Sequence, residues 1–496
     1  MPIGRYVALG ALLFSFPSQA QELTEENFRP NRTKVIDRFP LPAEPPVRML
    51  KPDTDYKAED LPAPLAETFT LHSKPDASKI IYLDFNGHQL TYDGFDFYYP
   101  PWNMEGSATT FSDTERTIIQ LTWQSVAEDF LPFDIDVTTE APSVDRLKNS
   151  GGDDTEWGVR AVINHSTYDY SWAYQNTFDD SDDIELYAWS GNFDSIDETW
   201  VWTADSVSHE AGHTLGLSHD GTTRGVEYYT GHGSGETSWS PIMGWTNYGL
   251  SQWDVGEYTD ANNQQDDVAI ITSRNGFGFR EDDHGSTAET ATAIDIDLQT
   301  AATGVIEQRD DLDYFVFSVK HEAHRVITVS PDNLAPNLDI EAKLYDTTGK
   351  LLFTANPETS VSAEFDVYLS VGEYVLSVDG TGYEDPTSDG YSDYGSLGYY
   401  IIQTDADGKK KGPGDTSDTG ESGDSGDTED TGTAKPPKDT SPESDTSDTG
   451  TTHTHQDEKG AGGCGCNAPA PFWPATLLVL PLLIRRKNRE HSTCGG

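Results

Sequence analysis

Cysteine is almost absent from this chain, and none lies where a folded core is expected. The 496 residues include three cysteines, and these are Cys464, Cys466 and Cys494. Disulfide bonds therefore cannot stabilise the main folded regions. Methionine is scarce as well, with four residues in all, so a methionine close to a functional motif is informative. The length alone predicts about three domains.

Positive charge is also in short supply. Asp and Glu number 85 against 32 Lys and Arg, which gives a formal net charge of -53. This excess of negative charge excludes nucleic acid and anionic membrane surfaces as main partners, and it suits a protein that works in salt. The 35% of hydrophobic residues still allows a sizeable core. The composition therefore predicts folded domains together with an acidic tail.

Residues 1–20 are predicted to be a secretion signal. Arg5 precedes the apolar run 6–16, and the run 17–20 ends in the small residues that a signal peptidase requires. The alternative is a buried N-terminal helix, which Gly10 disfavours. We therefore expect a secreted protein, located in the extracellular space or on the outer surface of the cell.

Residues 21–76 are rich in proline and charge and have no sustained hydrophobic period, which indicates a leader or propeptide. A globular pattern follows over residues 77–275. Its predicted elements are a strand at 79–85, a helix that begins at the Ser112 capping box and ends before Pro132, and strands at 133–139 and 159–163. This order predicts an α+β or α/β domain in which a helix packs on a mixed sheet.

The chemistry is concentrated in the segment 208–220. His209 and His213 are four residues apart, so on a helix both imidazoles project from one face towards a single zinc ion. Glu210 can reach a water at that metal. Gly216 allows the helix to end in a left-handed residue, and the returning chain supplies His219 as a third ligand. The competing interpretation is a set of histidines that hydrogen-bond within a core.

This segment resembles the extended zinc signature of the metzincin metalloendopeptidases. Those enzymes have a tight turn whose methionine lies beneath the zinc histidines. Met243, in the turn 240–244, follows His219 by 24 residues and fits that role. The resemblance covers residues 77–275 and implies a metzincin-like catalytic domain, a mixed sheet with an active-site helix.

Two further positions follow from the same resemblance. Asp220 resembles the structural acid of the adamalysin-like branch. Some metzincins carry a tyrosine two residues after the methionine, but this chain has Trp245 there. Tyr248, three residues further on, is the remaining candidate for contact with substrate.

The resemblance implies a secreted bacterial zinc metalloendopeptidase that acts on proteins or peptides without a covalent intermediate. Zinc polarises the scissile carbonyl and holds the attacking water, while Glu210 is the general base. Metzincins are commonly kept latent by a propeptide, in some branches through a cysteine. Residues 21–76 contain no cysteine. An inhibitory leader would therefore use a carboxylate, a histidine such as His72, or simple steric block.

A loop with five acids is a candidate calcium site, since oxygen ligands suit Ca²⁺ in an extracellular domain. Its acids are Asp179, Asp180, Asp182, Asp183 and Glu185. The spacing matches no EF-hand loop, and a solvated acidic loop is the competing interpretation.

Residues 282–404 are predicted to form an all-β sandwich, because short alternating runs recur between turn signals. The region resembles the bacterial pre-peptidase C-terminal domain. The matching segments are 311–315, 337–339, 344–346 and 372–374. Its acids Asp311, Asp313 and Asp339 are candidates for structural calcium or for surface solvation.

Residues 405–463 are a low-complexity acidic linker that cannot bury a core and is predicted to be disordered. Residues 464–496 then combine a Cys motif, the apolar run 472–484 and the basic end 485–487. They resemble myxobacterial-type C-terminal sorting signals, which implies membrane contact and processing by a sorting protease. A plain tail anchor is the alternative.

Two functions of other classes stay open. One is a non-catalytic surface adhesin or binding module that retains a metzincin fold, although such a module has no physical need for Glu210. The other is polysaccharide binding through exposed aromatics, which would be Tyr391, Tyr394, Tyr399 and Tyr400. An aromatic-lined substrate cleft is a further hypothesis, and its residues would be Trp189, Trp200 and Trp202.

Overall fold

The computed structural model describes residues 32–39, 56–57, 61–92, 95–104, 110–191, 193, 195–245 and 249–405. The predicted signal peptide 1–20, the linker beyond residue 405 and the predicted sorting segment 464–496 lie outside the described residues. All described residues belong to one compact unit.

The region before residue 276 contains ten strands and three α-helices among its described residues. The strands are β1 (Lys34–Asp37), β2 (Lys79–Asp84), β3 (His88–Tyr92), β4 (Phe95–Tyr99), β5 (Asp136–Thr138), β6 (Trp157–Asn164), β7 (Ser171–Tyr174), β8 (Glu185–Trp189), β9 (Trp239–Pro241) and β10 (Leu250–Gln252). The helices are α1 (Asp113–Asp129), α2 (Ile196–Leu215) and α3 (Asp267–Arg274).

A mixed six-stranded sheet organises this region, in the order β1-β7-β8-β6-β2-β5. The strands β5, β2, β6 and β8 run parallel, whereas β7 and β1 are antiparallel to their neighbours. Strand β2 is buried on both faces. Ile81 and Leu83 face the main core, while Ile80 and Tyr82 pack with Leu147. The edge strand β1 comes from the predicted leader.

The helices begin and end where the local sequence predicts. Ser112 caps α1, and the reciprocal capping-box bonds with Glu115 are both present. Ser195 caps α2 by accepting a hydrogen bond from the backbone of Glu198. Helix α2 ends at Gly216, whose φ of 106° is left-handed and costs glycine no Cβ clash. Helix α2 packs on β6, β7 and β8, and it also contacts α1.

The C-terminal half forms two facing antiparallel layers. Its strands are β11 (Thr292–Ala293), β12 (Thr300–Ile306), β13 (Leu312–Val319), β14 (Ala323–Pro331), β15 (Ile340–Asp346), β16 (Leu351–Ala355), β17 (Ala363–Leu369), β18 (Gly372–Gly380) and β19 (Gly398–Asp405). One sheet has the order β11-β13-β18-β15-β16 and the other β12-β19-β14-β17. Only the β11 pairing with β13 is parallel among the described pairings of these sheets. Alternate residues of β17 are buried, as expected for a strand with one core face.

The two halves are joined by buried polar contacts. The Nδ2 group of Asn337 donates to the Oδ1 atom of Asp129 at 2.9 Å, and the Oγ hydroxyl of Ser208 donates to the Oδ2 atom at 2.5 Å. The Nε2 group of Gln124 donates to Asp332 at 2.8 Å. Since Ser208 immediately precedes His209 on α2, the sandwich is connected to the helix that carries the histidine motif.

The predicted fold class is wrong. We expected an α+β or α/β metzincin-like catalytic domain, but the described residues form five sheets and only three α-helices. The described residues are predominantly β-structure, and those of the C-terminal half form a β-sandwich. The two strong helical patterns dominated the prediction, whereas β1, β7, β9 and β10 have three or four residues each and lie outside the predicted strands. Strands this short are too brief for alternation to be recognised.

No helix among the described residues is both long and apolar enough to cross a membrane.

Candidate metal centre

Three histidines converge at the C-terminal end of α2. His209 and His213 lie on one face of the helix, and His219 returns to them after the turn at Gly216. Their ring centroids are 4.8 to 5.3 Å apart. The Nε2 atoms of His213 and His219 are separated by 3.1 Å. The sequence spacing thus brings all three imidazoles to one point.

Backbone carbonyls fix the orientation of two of these rings. The Nδ1 of His209 lies 2.9 Å from the Ile242 carbonyl oxygen, and the Nδ1 of His213 lies 2.9 Å from that of Leu217. A carbonyl only accepts, so each Nδ1 carries the proton and each Nε2 keeps its lone pair. The Nε2 of His209 is buried and has no hydrogen-bond partner in the part of the chain that the structure describes. This is the arrangement that a metal-ligating histidine needs.

A fourth group completes the cluster. Asp37, the last residue of β1, is fully buried among the histidines. Its Oδ1 lies 2.7 Å from the Nε2 of His219, and its Oδ2 lies 3.4 Å from the Nε2 of His213. One ligand atom from each of the four residues lies within 4.8 Å of all the others. Three imidazoles and one carboxylate are a zinc-type ligand set.

The local electrostatics favour neutral imidazole beside a carboxylate. Burial, together with the neighbouring His213, lowers the pKa of His209 well below its usual value. Burial acts to raise the pKa of Asp37, but its contacts with His213 and His219 outweigh it and hold that pKa well below the usual range. A cation at the cluster would therefore meet an ionised carboxylate and a free imidazole lone pair.

Glu210 is buried beside the cluster and carries no compensating donor. Neither of its carboxylate oxygens accepts a hydrogen bond from an N–H or hydroxyl donor among the described residues, and its polar neighbour is the carboxyl group of Asp37. Burial and the nearby charge of Asp37 raise the pKa of Glu210 well above its usual value. A buried carboxyl group without donors needs a neighbouring cation or water to be stable in its ionised form.

The predicted methionine turn lies under the histidines. Met243 is fully buried, and its Sδ packs against the backbone of α2 at Gly212. The turn closes through a hydrogen bond from the Gly244 amide to the Pro241 carbonyl at 3.0 Å. Ile242, the residue before Met243, supplies the carbonyl that orients His209. The turn therefore both supports and orients the cluster.

Asp220 lies behind the cluster and does not join it. Its Oδ1 accepts a hydrogen bond from the Nδ2 of Asn263 at 3.0 Å, and its backbone amide donates to the Met243 carbonyl at 2.8 Å. Burial and the charge of Asp254 raise its pKa well above the usual value. Asp220 thus links the third histidine to the methionine turn. Tyr248 lies outside the described residues.

The acidic loop is held mainly by arginines. The guanidinium of Arg32 binds both carboxylate oxygens of Asp180, at 2.6 and 2.7 Å. Arg160 donates to Asp183 at 3.0 Å and to the buried Asp84 at 2.7 Å. The structure therefore does not gather Asp179, Asp180, Asp182, Asp183 and Glu185 into one metal-sized group. Calcium binding by this loop stays a prediction.

A second acidic cluster lies in the sandwich. Two groups of carboxylates come within metal-ligand range of one another: Asp282 with Glu307 and Asp311, and Asp282 with Asp283 and Asp313. Among the described residues, no N–H or hydroxyl group donates to either oxygen of the buried Glu307, and its polar neighbour is the carboxyl group of Asp311. Burial and Asp311 raise the pKa of Glu307 to about 10. Asp339 lies elsewhere, where its Oδ2 accepts from the hydroxyl of Tyr391 at 2.7 Å.

The four tyrosines considered for polysaccharide binding are largely engaged within the protein. Tyr391 and Tyr400 are buried, and the hydroxyl of Tyr400 donates to Asp313 at 2.5 Å. The hydroxyl of Tyr394 donates to Asp266 at 2.7 Å, and the backbone amide of Tyr399 donates to Glu128 at 3.0 Å.

Of the three tryptophans considered for a substrate cleft, Trp189 and Trp202 belong to an aromatic cluster near His209. Phe39 connects this aromatic cluster to His209, since its ring centroid is 5.0 Å from that of His209 and 4.8 Å from that of Trp245. Trp200 lies in the main core.

Sequence reasoning missed two residues of the site. The sequence predicts only that an inhibitory leader could use a carboxylate, and it does not single out Asp37. The run Lys34-Val-Ile-Asp37 is short and does not alternate, so no period marks a strand there. Tyr228, whose hydroxyl donates to the Oδ1 of Asp37 at 2.9 Å, has no motif that marks it. His72, the histidine considered for inhibition, instead contacts Asp136 at 2.6 Å and Glu140 at 2.9 Å.

Comparison with known proteins gives only distant likenesses. No protein-family model matches the chain, and no curated protein matches it. One similar solved structure is the pre-peptidase C-terminal domain of a collagenase from Bacillus anthracis. It is 17% identical, covers 24% of this chain and 100% of that chain, and has a TM-score of 0.19. Another is PliG of Aeromonas hydrophila, a periplasmic inhibitor of g-type lysozyme. It is 9% identical, covers 23% of this chain and 97% of that chain, and has a TM-score of 0.15.

Proposed function

We propose that the chain is a secreted zinc metalloendopeptidase whose metal is held by His209, His213 and His219. The observation that carries the proposal is the convergence of three imidazoles, two of them oriented by backbone carbonyls, where the buried Nε2 of His209 has no hydrogen-bond partner among the described residues. Zinc at this point would polarise a peptide carbonyl and lower the pKa of water. The histidine motif with Met243 resembles the metzincin signature and supports peptide-bond hydrolysis in particular.

The side chains of the site suit this role. Glu210 follows the first histidine, is buried and has no donor that would hold it in a purely structural role. In the proposed reaction it accepts a proton from water and delivers it to the leaving amine. The carbonyls of Ile242 and Leu217 keep two imidazoles in the tautomer that presents Nε2. Substrates are proteins or peptides.

The competing function is a surface adhesin or binding module that has no turnover. The buried Glu210 favours the enzyme, since an acid that is buried without an N–H or hydroxyl donor among the described residues is costly and has no use in a passive module. Metal binding is expected for both functions, so it does not separate them. The enzyme and the binding module are separated by a variant that keeps its metal, because only in the enzyme can such a variant lose turnover.

The experiment compares wild type with Glu210→Gln as the secreted full-length protein. Casein cleavage is measured before and after limited trypsin treatment, with trypsin then blocked by a serine-protease inhibitor, and zinc is measured on the same samples. We expect zinc in both proteins, and chelator-sensitive cleavage by wild type alone. Equal cleavage by both proteins would contradict the role of Glu210. Zinc in both without any cleavage would favour the binding module.

We also propose a structural calcium site in the sandwich, formed by Asp282, Glu307 and Asp311, with Asp283 and Asp313 in an adjoining group that shares Asp282. The observation that favours it is the buried Glu307, to which no N–H or hydroxyl group donates among the described residues. Oxygen-only ligands that include several carboxylates suit Ca²⁺. The test is the melting temperature with calcium and with a chelator, in wild type and in Glu307→Gln.

The proposed localisation is extracellular or at the cell surface, after export by residues 1–20. The C-terminal segment 464–496 is proposed to contact the membrane and to be processed by a sorting protease. Both segments lie outside the described residues, and their sequence patterns support the proposal. Expression with and without residues 464–496, followed by fractionation of cells and medium, tests it.

A further inference from the structure

Asn337 is a buried residue of the sandwich that lies at the junction with the region of the histidines. It belongs to the loop between β14 and β15. Its side-chain amide donates across the junction to Asp129, and its backbone carbonyl accepts a hydrogen bond from Gln252. From each of these two contacts, a path of hydrogen bonds and chain neighbours continues to His209, the first histidine of the motif.

The first path reaches the backbone of α2. The Nδ2 group of Asn337 donates to the Oδ1 atom of Asp129, the last residue of α1, at 2.9 Å. The Oγ hydroxyl of Ser208 donates to the other oxygen of the same carboxyl group at 2.5 Å. All three side chains are buried, where water does not compete for these bonds. Because Ser208 directly precedes His209, this path fixes α2 at the first histidine.

The second path reaches the imidazole of His209 itself, through the small sheet of β9 and β10. The Nε2 group of Gln252, the last residue of β10, donates to the Asn337 carbonyl at 2.6 Å. The Gln252 carbonyl accepts from the Ile242 amide at 2.9 Å, and the Ile242 carbonyl accepts from the Nδ1 of His209 at 2.9 Å. This path therefore sets the position of the acceptor that decides the ring orientation and tautomer of His209.

The junction around the two paths is tightly packed. At Gly395 of the sandwich, a Cβ would lie 2.5 Å from the Trp253 carbonyl oxygen and 2.7 Å from the Cβ of Gln252. The indole Nε1 of Trp253 donates to the backbone carbonyl of Asp129 at 2.8 Å, which connects the two paths directly. The Oε1 atom of Gln252 accepts from the indole of Trp239 at 2.9 Å. Packing this close leaves little room for the sandwich to shift against the histidines.

We propose that Asn337 is a positioning residue of the metal centre, which holds His209 through the backbone of α2 and through the Ile242 carbonyl. This inference rests on the proposed zinc centre. The sandwich is then a structural part of the metal site and not a separate accessory domain. Loss of either path lets the imidazole of His209 move away from the point that it shares with His213 and His219, so metal affinity falls. Removal of groups that orient a ligating histidine costs roughly 10–100-fold in metal affinity.

The experiment measures zinc affinity by competition with a chromophoric chelator, and it records the visible spectrum of the cobalt(II) form, which reports the ligand geometry. Full-length wild type is compared with Asn337→Ala, which cuts the first path, and with Gln252→Ala, which cuts the second. Gln124→Ala is the matched control, since the Nε2 of Gln124 donates across the same junction to Asp332 at 2.8 Å in a bond that is part of neither path.

We expect Asn337→Ala and Gln252→Ala to bind zinc roughly tenfold more weakly than wild type and to show a changed cobalt spectrum. Gln124→Ala should match wild type in both measurements, although it too loses a buried hydrogen bond and some stability. These changes in a protein that cleaves no casein would support the role of Asn337 while removing the proposed peptidase.

Three results would overturn the inference. Unchanged zinc affinity and cobalt spectrum in folded Asn337→Ala and Gln252→Ala would show that the junction does not position His209, while the zinc centre stands. An equal loss of affinity in Gln124→Ala would show that the junction acts only through overall stability. Absence of both metals from wild type would remove the zinc centre and the inference together. If Asn337→Ala does not fold, Ser208→Ala cuts the same path and is judged by the same criteria.

Discussion

The packing of Met243 against α2 determines whether the substitution Gly212→Ala stabilises or destabilises the protein. Replacing a glycine within a helix by alanine ordinarily stabilises a protein by about 1 kcal/mol. At Gly212, however, a Cβ would lie far inside the van der Waals distance of the Sδ of Met243 and 3.3 Å from its Cε. Met243 is fully buried, so the side chain has little room to move. Overpacking of this kind costs about 1–3 kcal/mol, and we expect Gly212→Ala to be neutral or destabilising.

A double-mutant cycle isolates that contact. Met243→Ala alone should cost about 2–5 kcal/mol through the cavity it leaves, but in that background Gly212→Ala should stabilise by up to about 1 kcal/mol. The coupling free energy is then about 1–3 kcal/mol. Gly278→Ala is the control, because a Cβ there has nothing within 4 Å. The assay is urea unfolding followed by tryptophan fluorescence. Equal stabilisation by Gly212→Ala in both backgrounds would refute the packing of Met243 beneath the helix.

The other predictions concern polar and charged groups away from the metal centre. The hydrogen bond with Asp136 raises the pKa of His72 from 6.5 to about 9. The stability that His72 contributes should therefore be complete below pH 6.5 and lost as the pH rises through about 9; equal effects of His72→Ala on the free energy of unfolding at pH 6 and pH 10 would contradict this. The pKa of Glu307 is raised from 4.5 to about 10, so without calcium the folded state should lose stability as the pH rises through that interval. Added calcium should raise the melting temperature of wild type by several degrees and that of Glu307→Gln much less; the same calcium response in both proteins would count against the site. Asn337→Ala removes a hydrogen bond to the buried carboxylate of Asp129 and should cost about 1.5–3 kcal/mol in urea unfolding, and a cost near zero would show that the junction adds no stability.

Local patterns predicted the helices well because their signals lie within a few residues of one another. The capping box at Ser112 correctly marks the start of α1, and the glycine at 216 correctly marks the end of α2. In the C-terminal half, apolar and polar residues alternate over 313–319, 325–329, 341–345, 365–369 and 374–378, and these runs fall within β13, β14, β15, β17 and β18. In each case the hydrophobic period or the cap is itself the physical cause of the element.

The pairing of distant strands and the position of Asp37 could not be predicted from the same local patterns. Strand β1 exists because β7 offers it a partner more than a hundred residues away, and no local period reports such a pairing. Likewise, the spacing in the histidine motif predicts that His209, His213 and His219 meet, but nothing near Asp37 in the sequence indicates that it joins them. Long-range pairing and loop closure decide these contacts, so the structure was needed to find them.

Metal content tests most directly whether the three imidazoles hold a metal. Zinc per chain is measured by mass spectrometry in the full-length wild type, His213→Ala and His324→Ala. His324 is the control because it is an exposed histidine in the sandwich, paired with Asp366 at 2.6 Å. We expect one zinc per chain in wild type and in His324→Ala, and loss of zinc from folded His213→Ala. The same zinc content in all three proteins, or a folded wild type without zinc, would contradict it.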